Sequence, residues 1–144
     1  MSIDPEIRSE RVVDAPRDDV YAALSDPDRL ASWWGPKGFT NTFDEFDLRP
    51  GGAWRFTMHG PDGAEYALHK QFIEVAPPER VVLRHIQEQH GFVMTITLEE
   101  EGERTRVHWR MLFDDPADAE AARAIIVRSN EENFDRLEAH LAGG

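Results

Sequence analysis

Few residues of this chain could carry chemistry, and they form no catalytic or metal-binding pattern. The six histidines, His59, His69, His85, His90, His108 and His140, have no spacing that builds a metal site. A His-Glu-x-x-His motif, a nucleophile elbow and a phosphate-binding glycine loop are all absent. There is no cysteine, which excludes disulfides, thiol catalysis and cysteine-ligated zinc. No metal or cofactor is expected. His85 is the titratable group of most interest, because strand parity with Val81 and Leu83 turns it inward. An imidazole there could contact a ligand or act as a general acid or base. The preferred reading is a hydrogen-bonded or half-solvated histidine at a strand end, since catalysis needs a second positioned group and the sequence shows none. Asn130, on the inner face of the last helix, would meet a ligand, a water, or a side chain such as His85 or Tyr66.

The elements that must position these groups follow from periodicity. Arg8 to Asp14 reads as a first strand. Pro16 fits the first turn of a short helix with Asp18 and Asp19 near its positive end, and Val20, Tyr21 and Leu24 form its apolar stripe. Pro27 opens a second short helix carrying Leu30, Trp33 and Trp34, which Gly35-Pro36-Lys37-Gly38 breaks. Alternation then marks strands. Trp54, Phe56 and Met58 share one face, a hairpin at Pro61-Asp62-Gly63 leads into Glu65–Val75, and Val81, Leu83 and His85 share a face. Phe92, Met94, Ile96 and Leu98 form another set, as do Thr105, Val107, Trp109, Met111 and Phe113. Asp114-Asp115-Pro116 starts a long closing helix whose face is Ala122, Ile126, Asn130, Phe134, Leu137 and Leu141.

This order makes an α+β fold: a curved antiparallel sheet of about six to seven strands, two short helices after the first strand, and a long C-terminal helix packed on the sheet. The inward side chains are large, and such a sheet gripping a helix leaves a hollow lined by Trp54, Phe56, Met58, Tyr66, His85, Phe92, Met94, Trp109, Met111, Ile126, Asn130 and Phe134. Each aromatic or methionine in that set also reads as ordinary core. Trp33, Trp34 and Phe39 flank the glycine-rich break and read either as a lid over the hollow or as the closure of one end of the core. Arg104, Arg106, His108 and Arg110 lie on the opposite face, where glutamates of neighbouring strands can pair with them.

The chain, residues 1–144, suits one domain. Sixteen basic and 28 acidic residues leave a net charge of −12, which repels phosphate backbones and anionic membranes, so neither nucleic acid nor membrane is an expected partner. Met1 to Glu6 carries no secretory pattern and no apolar run spans a bilayer, so a cytoplasmic location and a monomer or weak dimer are expected.

The stretch from Ala15 to Pro27 resembles the opening of the Bet v 1-like (START-like, SRPBCC) superfamily. Trp33-Trp34-Gly35-Pro36-Lys37-Gly38-Phe39, Asp47 to Trp54, Pro61-Asp62-Gly63, Pro77 to Val82 and Asp135-Arg136-Leu137 resemble its bacterial branch homologous to the activator of the heat-shock-protein-90 ATPase. The resemblance runs from about Arg8 to Leu141 and implies a helix-grip fold over an internal cavity. It implies binding of a small apolar or amphipathic molecule such as a lipid, polyketide or aromatic metabolite. A cyclase or hydrolase acting on such a ligand, and a stress-response or co-chaperone-like interaction protein, are the alternatives it leaves open. Two departures from that pattern stand out: Ser129-Asn130 where the family commonly carries Gly-Trp, and Lys70 where a glycine is usual.

Overall fold

The computed structural model describes residues 4–86 and 91–143, so His90 lies outside the described residues. Seven strands form one antiparallel sheet: β1 (Glu6–Val13), β2 (Thr40–Phe46), β3 (Ala53–His59), β4 (Glu65–Ala76), β5 (Arg80–His85), β6 (Phe92–Glu101) and β7 (Arg104–Phe113). Their spatial order is β1-β7-β6-β5-β4-β3-β2. From β2 to β7 each strand pairs with its sequence neighbour, as short turns dictate, and β1 closes the series on β7. Helices α1 (Arg17–Ser25) and α2 (Pro27–Trp33) follow β1, and α3 (Pro116–Leu141) lies over β1 and β7. This is the α+β helix-grip arrangement.

Local chemistry explains the helix starts. Asp26 accepts a hydrogen bond from Asp28 N at α2, and Asp115 accepts one from Ala117 N at α3, each with proline in the first turn. Pro16 sits one position earlier than the sequence indicates, as the extended N-cap of α1. β1 also begins earlier, at Glu6 rather than Arg8. Pairing of Glu6 with Leu112 and of Ile7 with Met111 of β7 extends the strand by these two residues.

Two register shifts curve the sheet, one between Phe43 and Glu45 and one between Phe72 and Glu74. The second leaves Ile73 exposed on the outer face while Phe72 stays inside. The outer face is laced with ion pairs: Arg106 with Glu10 and Glu101, Arg110 with Glu6, and His108 near Glu99. On the inner side, Arg11 reaches Glu131, Asp135 and Glu138 of α3. Arg123 of α3 donates to the carbonyl oxygens of Asp4 and Glu6, at 2.7 and 2.8 Å. The core between the layers includes Ile7, Val20, Leu30, Trp33, Trp54, Phe56, Ile96 and Leu137.

Candidate ligand-binding site

Strand pairing sets the inner face in rows. One row runs Trp54, Lys70, His85, Phe92, Phe113 across β3, β4, β5, β6 and β7. The next runs Phe72, Leu83, Met94, Met111, Ile7, and a third runs Val81, Ile96, Trp109, Ser9. Every member of these rows except Phe92 is buried, and Phe92 is half-buried.

Lys70 is the unexpected member. It is 5% exposed, in an aromatic row where a charge is costly. Its Nζ lies 3.3 Å from His85 Nδ1 and 5.0 Å from the centroid of the Phe92 ring. His85 stacks on Phe92 with centroids 4.8 Å apart. Among the described residues no carboxylate pairs with this amine. Burial disfavours its charged form and pushes its pKa down to about 7, so near neutrality a large share of the amine is unprotonated. Trp54, its neighbour in the row, has its indole Nε1 buried without an acceptor among the described residues. Lys70 thus has a consequence that the bare departure from glycine did not reveal. The signal was available in parity, since Leu68 and Phe72 flank it at intervals of two on an inward-facing strand.

Of the residues expected to line the hollow, Trp54, Phe56, His85, Met94, Trp109, Met111, Asn130 and Phe134 are buried on the inner side, and Met58, Phe92 and Ile126 are half-buried. Tyr66 is 49% exposed and packs on Phe39, 6.1 Å away, at the far end of β4. Asn130 meets neither His85 nor Tyr66: its amide donates to Ser9 Oγ at 3.1 Å and approaches Met111 Sδ at 3.8 Å. Sequence parity did not single out Ser9, although Ile7 and Val13 share its face.

Trp33 and Trp34 are buried, and Trp34 occupies the middle of the concave space. Its ring lies 5.2 Å from Trp54, 5.3 Å from Trp109 and 5.7 Å from Trp33. Trp33 Nε1 donates to the carbonyl of Ala23. The segment that carries them is strapped to α3. Asn133 donates to the Trp33 carbonyl and accepts from Gly35 N, and Arg136 donates to the carbonyls of Ser32, Trp34, Gly35 and Pro36. Gly35 adopts φ +99°, and a Cβ there would lie 2.6 Å from Met58 Cε. Beside Trp33 and Trp109 lies a cavity of about 10 Å³, bordered by Val20, Leu24, Ile96 and Leu137. A larger hollow of about 380 Å³ lies on the outer face, among charged and polar residues including Arg8, Glu10, Thr97, His108 and Arg110.

The two halves of α3 differ. Asn130, Asn133, Phe134 and Leu137 are buried in the second half, whereas Ala119 alone is buried before Asn130, and Ile125 and Val127 are exposed. The helix is docked firmly at one end of the sheet and lightly at the other. Among the described residues no group of three or more histidines and carboxylates is placed to hold a metal, and no helix is long and apolar enough to cross a membrane.

Comparison with known proteins agrees with this geometry. The fold is shared with a protein from Arthrobacter aurescens, at TM-score 0.89 and 23% identity over 100% of this chain and 92% of that one. It is shared with protein NE0264 from Nitrosomonas europaea, at TM-score 0.87 and 21% identity over 99% of each chain. The AHSA1 protein from Silicibacter pomeroyi matches at TM-score 0.78 and 23% identity, over 95% of this chain and 97% of that one. At these identities the likeness is one of fold. No curated protein matches the sequence. The model of the family described as Activator of Hsp90 ATPase homolog 1-like protein matches residues 14–142. With nearly its whole length matched, the chain belongs to that family, the heat-shock-ATPase-activator branch of the Bet v 1-like superfamily.

Proposed function

We propose that the protein binds a small amphipathic molecule, with its apolar body against the aromatic inner face of the sheet and its polar head at Lys70 and His85. The observation that carries this reading is the buried amine of Lys70. A lysine enclosed among Trp54, His85 and Phe92, with no carboxylate beside it among the described residues, costs stability, and a ligand head group that accepts a hydrogen bond or carries negative charge offsets that cost. The unpaired Trp54 Nε1 supplies a second donor in the same row. Family and fold are consistent with a ligand-binding or co-chaperone-like domain, which supports the coarser part of the reading. The lightly docked first half of α3, with Ile126 half-buried above the sheet, is the side from which a molecule would enter. Trp109 and Met94 would form the apolar wall, contributing roughly 25 cal/mol for each Å² removed from water.

A two-dimensional NMR titration with decanoate and 2-naphthoate tests the proposal. Shifts are expected at Trp54, Lys70, His85, Met94, Trp109 and Asn130. Shifts confined to the outer face, at Arg106 and His108, or no saturable shifts with either acid, would overturn it.

A further inference from the structure

The chain has only two lysines, Lys37 and Lys70, against fourteen arginines. Lys37 lies in the α2–β2 connection and is exposed. Lys70 points into the inner face, its Nζ 3.3 Å from an imidazole nitrogen and over the Phe92 ring. Phe92, whose ring the amine faces, is half-buried. An ammonium held by a carboxylate would be a poor nucleophile. Among the described residues its hydrogen-bond partner is an imidazole, which can take a proton and return it.

We infer that Lys70 binds carbonyl compounds covalently: its amine condenses with an aldehyde or ketone on an apolar ligand to form an imine, with His85 relaying the proton. The inference rests on the binding reading above. In the step, the Nζ lone pair attacks the carbonyl carbon and a C–N bond forms. The proton lost from nitrogen passes to His85 Nδ1, in the tautomer that leaves this atom unprotonated, and His85 hands it on to the carbonyl oxygen, which becomes a hydroxyl. The carbinolamine then gives up its second N–H proton, which His85 relays to that hydroxyl; the C–O bond breaks, water leaves, and the C=N bond remains. One water leaves, no electrons are transferred, and the reaction reverses by hydrolysis. The aromatic row suits a conjugated or aryl carbonyl, whose ring stacks where Trp54 and Phe92 lie. The lowered pKa of Lys70, about 7, favours the step at neutral pH.

The test uses the full chain with 2-naphthaldehyde at pH 7, trapping by sodium cyanoborohydride, and mass mapping. Cleavage after arginine puts the two lysines on separate peptides, since Arg55 lies between them. An ordinary exposed lysine is almost wholly protonated at pH 7, so at least about tenfold more naphthylmethyl adduct is expected on Lys70 than on Lys37. Adduct on Lys37 alone, or equal labelling that persists when the protein is unfolded in urea, would overturn the inference. 2-Naphthylmethanol, the same skeleton without the carbonyl, separates the two claims. If it binds while the aldehyde leaves Lys70 unlabelled, covalent capture is refuted and the binding site stands. Mapping in the native protein keeps the test independent of how well Lys70→Met folds.

Discussion

Replacing Lys70 with methionine keeps the length of the side chain and removes the buried amine, so the variant reads the cost of that amine directly. In the unfolded chain a lysine holds its proton to about pH 10.4. In the folded protein burial drives the amine to about 7. Between these values the unfolded state binds a proton that the folded state does not, so wild-type stability rises with pH across that window. The displacement of about 3.5 on the pH scale, at about 1.36 kcal/mol per pH unit, sets the full effect near 5 kcal/mol. Half-protonation at the folded value trims this to about 4 kcal/mol at pH 7, falling to about 1 kcal/mol at pH 10. Lys70→Met is therefore expected to be the more stable protein at pH 7, with an advantage that shrinks by about 3 kcal/mol toward pH 10. Urea unfolding followed by tryptophan fluorescence, on both proteins from pH 6 to 10, gives the difference at each pH. Titrations common to both proteins cancel, and any packing difference between Lys and Met adds a constant. A difference that stays flat between pH 7 and 10 would refute the argument, because the amine would then be as basic inside the fold as outside it.

Other substitutions probe the parts that enclose the site. Asn133→Ala strands the Trp33 carbonyl and the Gly35 N–H in the interior, and a loss of about 2–4 kcal/mol in urea unfolding is expected; a loss below about 0.5 kcal/mol would show that the strap adds little. Gly35→Ala forces a side chain into a positive-φ position against Met58, and a loss of about 1–3 kcal/mol should appear as a lowered melting temperature. Trp34→Ala removes the ring that fills the concave centre, at a cost of about 3–5 kcal/mol. The same variant should bind 2-naphthylmethanol more tightly by fluorescence titration, and unchanged affinity would mean that Trp34 does not occupy ligand space.

Much of the fold was legible because each element carries its own signal. Alternation marked β3, β5, β6 and β7, and Pro27 and Pro116 marked two helix starts. Where the partner strand decides an element's end, the reading slipped, as at Glu6-Ile7, the beginning of β1. The site was legible only in part. His85 faced inward by parity, and so did Lys70, but nothing local says that residues fifteen apart in the chain are cross-strand partners with nitrogen atoms in contact. That follows from the register of β4 on β5. Trp34 was ambiguous for a related reason. It is the extended C-cap of α2, at φ −68° and ψ 138°, so the chain leaves the helix and swings the indole under the sheet while Trp33 points to Ala23. On a continuing helix the two side chains would diverge by about 100°. Asn130 took Ser9 as its partner because β1, not β5, is the strand beneath α3.

The guanidinium of Arg123 carries a consequence for assembly. β1 is an outermost strand, and the Pro5 carbonyl turns inward to Phe113 N, which leaves the Asp4 and Glu6 carbonyls facing away from the sheet. Those two acceptors are where an incoming strand from another chain would begin to zip, and the fork from α3 already holds both. Extension of the sheet by a foreign strand at this point would first have to pry the helix loose, so at the start of β1 the molecule is sealed against end-to-end polymerisation.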